Sequence, residues 1–296
     1  MDQCPGWIGV AANLFPAPGV RVARLGGGSA ETLKGLLAGD WEFAHLGLEA
    51  VVRGVLEGAD PVLVLSPVDA HRAGSLMGKA GIRSPEQLAG TRVGVATEGG
   101  VSGVSARAIL QRWGVSATLV ALGSSDAVYA ALQSEKIDAG YLPVELGFRG
   151  RAEFGWNVFE GGTPGVSGGI VTTRRFVASH RDTVAGVVKG LVDAIRFVKA
   201  RPAETRGLLG RYLEFSDAKA IAELHEYYAP IYRAVPAPTA FFAAQGLRDA
   251  FASRYPGART IETADYIDAS FVDELNRSGY IERLYAAWQL ARAPPS

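Results

Sequence analysis

The sequence holds little of what anchors metal and redox chemistry. Its 296 residues include one cysteine, Cys4, and four histidines spread along the chain. A lone cysteine excludes an intrachain disulfide and any cysteine-based zinc cluster, and scattered histidines give no metal-ligand spacing. No metal and no cofactor are expected. Charge of one sign is lacking too: Lys plus Arg total 30, Asp plus Glu total 30, and the formal net charge is zero. With no basic stripe interleaved with aromatics, nucleic acid is not an expected partner. No apolar run approaches the roughly 18 residues of a membrane-crossing helix. His225-Glu226 lacks the second histidine of a zinc-protease helix. The glycine-rich spans lack the Lys-Ser/Thr of a P-loop and the GxGxxG spacing of a dinucleotide site. The N-terminus, MDQCPGWIGVAANLF, has neither a basic leader nor a long apolar stretch, so no export signal is read there and a cytoplasmic location is expected as written.

What is present is core-forming sequence, 48% hydrophobic against 20% charged, enough for one large domain or two ordinary ones. The most informative stretch is IRSPEQLAGTRVGVATEGGVSGVSARAIL, from Ile82 to Leu110. Ser84, Pro85 and Glu86 read as a helix start, Thr91–Val95 as a buried strand, 97–103 as a Thr/Ser/Gly loop and Val104–Leu110 as a helix. Such a strand–loop–helix leaves backbone N–H groups pointing outward, which suits an anion; ordinary capping is the alternative.

Strand and helix alternate around it. Helices are expected at 8–14, 30–37, 49–56 and 126–133, and strands at 20–25, 41–46, 61–68, 117–121, 137–141, 156–159 and 169–173. This order predicts an α/β protein with a largely parallel sheet. After Arg175 the pattern becomes helical: 180–200, 202–212, 217–228, 239–253, 271–277 and 281–290, with Val184, Val187, Val188, Leu191, Ile195 and Val198 forming a helical stripe.

Four segments carry a family resemblance. GGGSAETLKGLLAGDWEFAHLGLEAVV, IRSPEQLAGTRVGV, IDAGY followed by Pro143, and TADYIDASFVDELNRSGYI resemble corresponding segments of type II periplasmic binding proteins. The subgroup is the sulfonate-, taurine- and thiamine-precursor-binding components of ABC importers. The resemblance implies two α/β lobes joined by two crossover strands, with a ligand cleft between them. Lobe one would be 1–72 and 168–296, lobe two 73–167. The implied partners are a small-molecule ligand, of the organic anion or pyrimidine class, and an ABC permease, with the protein a monomer. Relatives open with a strand for which only 1–4 is available here, and they are usually periplasmic or lipid-anchored outside the cell.

The resemblance also implies where ligand contacts fall. Cys4 and Trp7 would face the cleft near the first helix, joined by Gly27 and Ser29 of the glycine turn and by His45 and Gly47. Lobe two would add Thr97, Ser102, Gly103 and Ser105, with Tyr141, Glu145 and Ser167 on the far wall. Each has a plainer reading: Cys4 as a small buried hydrophobe, Trp7 as core, Glu145 as solvated surface. An enzymatic alternative exists on the same fold. Desulfinases of aromatic sulfinates and thiamine-pyrimidine synthases resemble this chain in the Cys4-Pro5 pair and in His45. A thiolate and a base within hydrogen-bond reach would support a lyase or hydrolase. The arginine-glycine segment of the former, for which Arg53 is a weak stand-in, and the cysteine-rich run of the latter are not evident.

Overall fold

The computed structural model describes residues 3–16, 19–23, 29–68, 74–98, 101–161, 168–238, 252 and 255–292. The chain opens with α1 (Cys4–Ala11), α2 (Ser29–Ala38), β1 (Ala44–Leu46), α3 (Leu48–Leu56) and β2 (Pro61–Leu65). It continues through β3 (Gly74–Gly78), a 3-10 turn (Pro85–Leu88), β4 (Arg92–Val95), α4 (Val101–Trp113), β5 (Thr118–Ala121) and α5 (Ser125–Gln133). Next come β6 (Ala139–Pro143), α6 (Val144–Phe154), β7 (Asn157–Gly161) and β8 (Gly169–Thr173). The helical third is α7 (Arg174–Ser179), α8 (Arg181–Ala200), α9 (Pro202–Leu213), α10 (Ala218–Ile231), α11 (Thr263–Tyr266), α12 (Ser270–Arg277) and α13 (Tyr280–Arg292).

The chain forms two compact units. Unit I comprises Ala70–Gly165 and Leu209–Tyr227; unit II comprises Asp2–Asp69, Val166–Leu208 and Tyr228–Ser296. Unit I holds a five-stranded sheet in the order β5-β4-β6-β3-β7. Strand β4 runs parallel to β5 and β6, whereas β3 runs antiparallel to β6 and β7. Local chemistry sets the boundaries. Gln87 Oε1 accepts from the Ser84 backbone N–H in a capping box, and the Ser124 hydroxyl accepts from the Ala127 N–H to start α5. Gly155 ends α6 in the left-handed conformation (φ +66°).

Unit II holds a three-stranded sheet in the order β1-β8-β2, with β8 antiparallel to both neighbours. The expectation of a largely parallel sheet is therefore corrected to two mixed or antiparallel sheets. The reason is topological: β1 and β2 are separated by a helix, as in a parallel pair, but β8 returns from far along the chain and inserts between them. Gly168 and Gly169 make that insertion possible. A Cβ on Gly168 would collide with the Leu46 carbonyl, and one on Gly169 with the Leu65 carbonyl. Helix α8 buries the stripe of Val184, Val187, Val188, Leu191, Ile195 and Val198, and α1 packs against it.

Several expectations on single elements change. Helix α1 starts at Cys4 rather than residue 8, with Pro5 in its first turn where a missing N–H costs nothing. Residues 20–23 form no strand, and the rest of that expected strand lies outside the described residues, as does the expected helix at 239–253 apart from Ala252. Strand β3 and helix α6 were not anticipated.

Candidate functional site

A cavity of about 310 Å³ lies within unit II, at the lower end of the usual size for a small-molecule site. It is built from six pieces of chain. Residues 41–45 contribute Trp41, Phe43, Ala44 and His45; the first turn of α2 contributes Ser29 and Thr32. Residues 20–23 form one side, with Arg21 among them, and α1 and its exit loop add Gln3, Gly6 and Phe15. Ile170 of β8 with Val187 and Leu191 of α8 close the apolar floor.

Sequence periodicity explains this convergence. Phe43, just before β1, and His45 within it stand two apart and so reach the same side, and Trp41 joins them from the residues before. Ser29 and Thr32 stand three apart on α2, and Val187 and Leu191 four apart on α8, which puts each pair on one helix face. The rings are held from behind. The Trp41 indole N–H donates to the Thr32 carbonyl at 3.1 Å. Phe43 meets Phe176 edge to face, with centroids 5.6 Å apart.

Of the residues singled out from sequence, Ser29 and His45 line this cavity. Cys4 is 1% exposed at the start of α1, and neither it nor half-buried Trp7 is on the cavity wall. Gly47 is the N-cap of α3, its carbonyl accepting from Ala50 N–H at 3.0 Å. Two residues further, burial raises the Glu49 carboxyl above its ordinary pKa, with Arg53 acting against the shift. Gly27 and Ser167 lie outside the described residues. Arg21, Thr32, Trp41 and Phe43 were not anticipated.

The other group sits in unit I and is largely occupied with itself. The Ser102 hydroxyl accepts from Ala96 N–H (3.1 Å) and Thr97 N–H (3.2 Å), and Gly103 N–H donates to the Thr97 carbonyl (3.1 Å). A Cβ on Gly103 would collide with the carbonyls of Thr97 and Glu98. These groups close the loop on itself, which is the capping alternative. Tyr141, buried, hydrogen-bonds with Ser105 and with the backbone at Gly74; burial raises its pKa despite both contacts. Glu145 is half-buried in the first turn of α6.

The cavity offers donors of two kinds, the Arg21 guanidinium and the Ser29 and Thr32 hydroxyls, beside the His45 imidazole. Such a set can hold an anionic head group by charge-assisted hydrogen bonds while three rings and three aliphatic side chains meet an organic body. Among the described residues, no three His, Cys, Asp or Glu side chains are grouped to hold a metal ion. No described helix is long and apolar enough to cross a membrane.

The likeness to solved structures defines the class: an α/β protein of the type II periplasmic-binding-protein fold. The chain belongs to the NMT1/THI5-like family, whose model matches residues 10–205. Among solved structures it is similar to a protein of Bordetella bronchiseptica RB50, with 16% identity, TM-score 0.73 and 94% of each chain covered. It is also similar to the alkanesulfonate-binding protein SsuA of Xanthomonas axonopodis pv. citri bound to MOPS, at 16% identity and TM-score 0.67, covering 88% of this chain and 92% of that one. The periplasmic aliphatic sulphonate binding protein SsuA of Escherichia coli gives 18% identity and TM-score 0.64, with 85% and 84% covered. No curated protein sequence matches the chain significantly.

Proposed function

We propose that this protein binds a small organic anion, of the sulfonate or carboxylate class, as the substrate-binding component of an ABC importer and delivers it to a membrane permease. The observation that carries the reading is the unit II cavity, where Arg21, Ser29, Thr32 and His45 share one wall system with aromatic rings. The family and the fold support it, as do the sulfonate-binding relatives named above. Binding needs no covalent step. The alternative chemistry of Cys4 with His45 needs both groups on one cavity, and the cavity wall includes only His45.

The test is a thermal-shift screen of sulfonates, sulfinates, carboxylates and pyrimidines, with recovered compound weighed by mass spectrometry. A ligand that binds the folded state alone raises the melting temperature by mass action. The expected result is a concentration-dependent rise with at least one organic anion, recovered unchanged, and a smaller rise in Arg21→Ala. Consumption of the compound by wild type but not by Cys4→Ala would establish an enzyme instead.

A further inference from the structure

Resting on that binding reading, we infer that the unit II cavity is shaped for an aromatic ring, so the ligand is an aryl-bearing monoanion rather than a short aliphatic one. Three rings form its walls: Phe15, Trp41 and Phe43. Each is fixed by its own backing. Phe15 lies in a slot cut by two helical glycines. A Cβ on Gly9 of α1 would come within 2.6 Å of its ring, and one on Gly190 of α8 would come closer still. Trp41 abuts a third, Gly35 of α2, whose Cβ would overlap the indole, and its N–H is committed to the Thr32 carbonyl. Phe43 is held edge to face by Phe176.

All three of these glycines are buried inside helices, where alanine is the better helix former. What the three positions have in common is that they seat the cavity's rings. Rings held in this way present fixed faces and edges, which favour another ring beyond the area it buries. The volume fits as well. About 310 Å³ equals the liquid share of about ten waters, the scale of one six-membered ring with an acidic substituent. Ser29, Thr32, His45 and Arg21 then meet the acidic group while Ile170, Val187 and Leu191 floor the ring.

Titration calorimetry with benzenesulfonate and ethanesulfonate tests this on the whole chain. Wild type is expected to bind benzenesulfonate about tenfold tighter or more, equivalent to about 1.4 kcal/mol. Gly35→Ala, which displaces the Trp41 ring from its seat, and Val187→Phe, which fills the floor, are each expected to weaken benzenesulfonate binding enough to remove most of that ratio. Melting curves establish that each variant is folded, and the wild-type ratio needs no variant. Equal or tighter binding of ethanesulfonate overturns the aryl inference and leaves the anion-binding reading standing. A preference for benzenesulfonate that both folded variants retain overturns the placement of the ring in this cavity. Binding of neither sulfonate, with no anion active in the thermal screen, overturns both.

Discussion

In unit I, Lys79 reaches Asp138 at 2.9 Å, Tyr129 reaches Glu153 at 2.9 Å, and Ser105 meets Tyr141. In unit II, Ser29, Thr32 and His45 stand instead around a cavity walled by aromatic rings. Both units are α/β layers with apolar interiors, so burial of hydrophobic area does not distinguish them. The difference lies at the unit II cavity, whose wall includes Arg21, Ser29, Thr32 and His45. A group closed on its own unit contributes to stability and specifies local geometry. A group turned toward a cavity is placed where a ligand can meet it, and the seats for the rings beside it are cut by glycines.

The largest effect is expected from a glycine whose Cβ would meet strand backbone, set against one whose Cβ would meet a flexible side chain. Gly168→Ala in unit II drives a Cβ into the Leu46 carbonyl, which is backbone in a paired strand and cannot yield. We expect a loss of about 3 kcal/mol in chemical denaturation. Gly147→Ala in unit I meets only the flexible end of Met77, and should lose less than about 1 kcal/mol. Equal losses would break the comparison. Next, Arg21→Ala removes an exposed cavity cation. Anion affinity should fall by about 10- to 100-fold, the range of a charge-assisted hydrogen bond, while the unliganded melting temperature holds.

Smaller effects come from two carboxyls with opposite behaviour. Asp138 in unit I accepts from Lys79, which holds its pKa below the ordinary value. Its contribution is present above the unfolded pKa of about 3.9 and is lost as pH falls through the lower folded value. Asp138→Asn should cost about 1 kcal/mol at neutral pH, with the gap to wild type closing in acid. Glu49 in unit II is shifted upward by burial. A raised carboxyl favours the folded state below its unfolded pKa of about 4.3, and that advantage disappears as pH rises through the folded value. Glu49→Gln should therefore melt slightly higher than wild type at pH 7–8, and the two should converge in acid. A lower melting temperature at neutral pH would show that the Glu49 carboxylate is stabilised in the fold.

Much of this was legible in the sequence, and the failures have physical causes. The α8 stripe and the helix start at Ser84 translate directly into elements because they are local. Strand direction is not local: the insertion of β8 between β1 and β2 depends on residues more than a hundred positions apart. Strand β3, GSLMG, is too short and glycine-bounded to alternate, and α6 carries two interior glycines that mask its helical pattern. Of the cavity, His45 and Ser29 came from the family resemblance. Trp41 and Phe43 lie at the edge of a three-residue strand too short to show a period, and Arg21 enters from residues 20–23, whose alternation suggests a strand that does not form.

The most direct test of the cavity as the ligand seat is hydrogen exchange with and without a saturating organic anion that binds in the thermal screen. Slowed exchange in peptides spanning 29–46 and 184–191, with α5 of unit I unchanged, is the expected result. Saturated binding that leaves 29–46 untouched would contradict it.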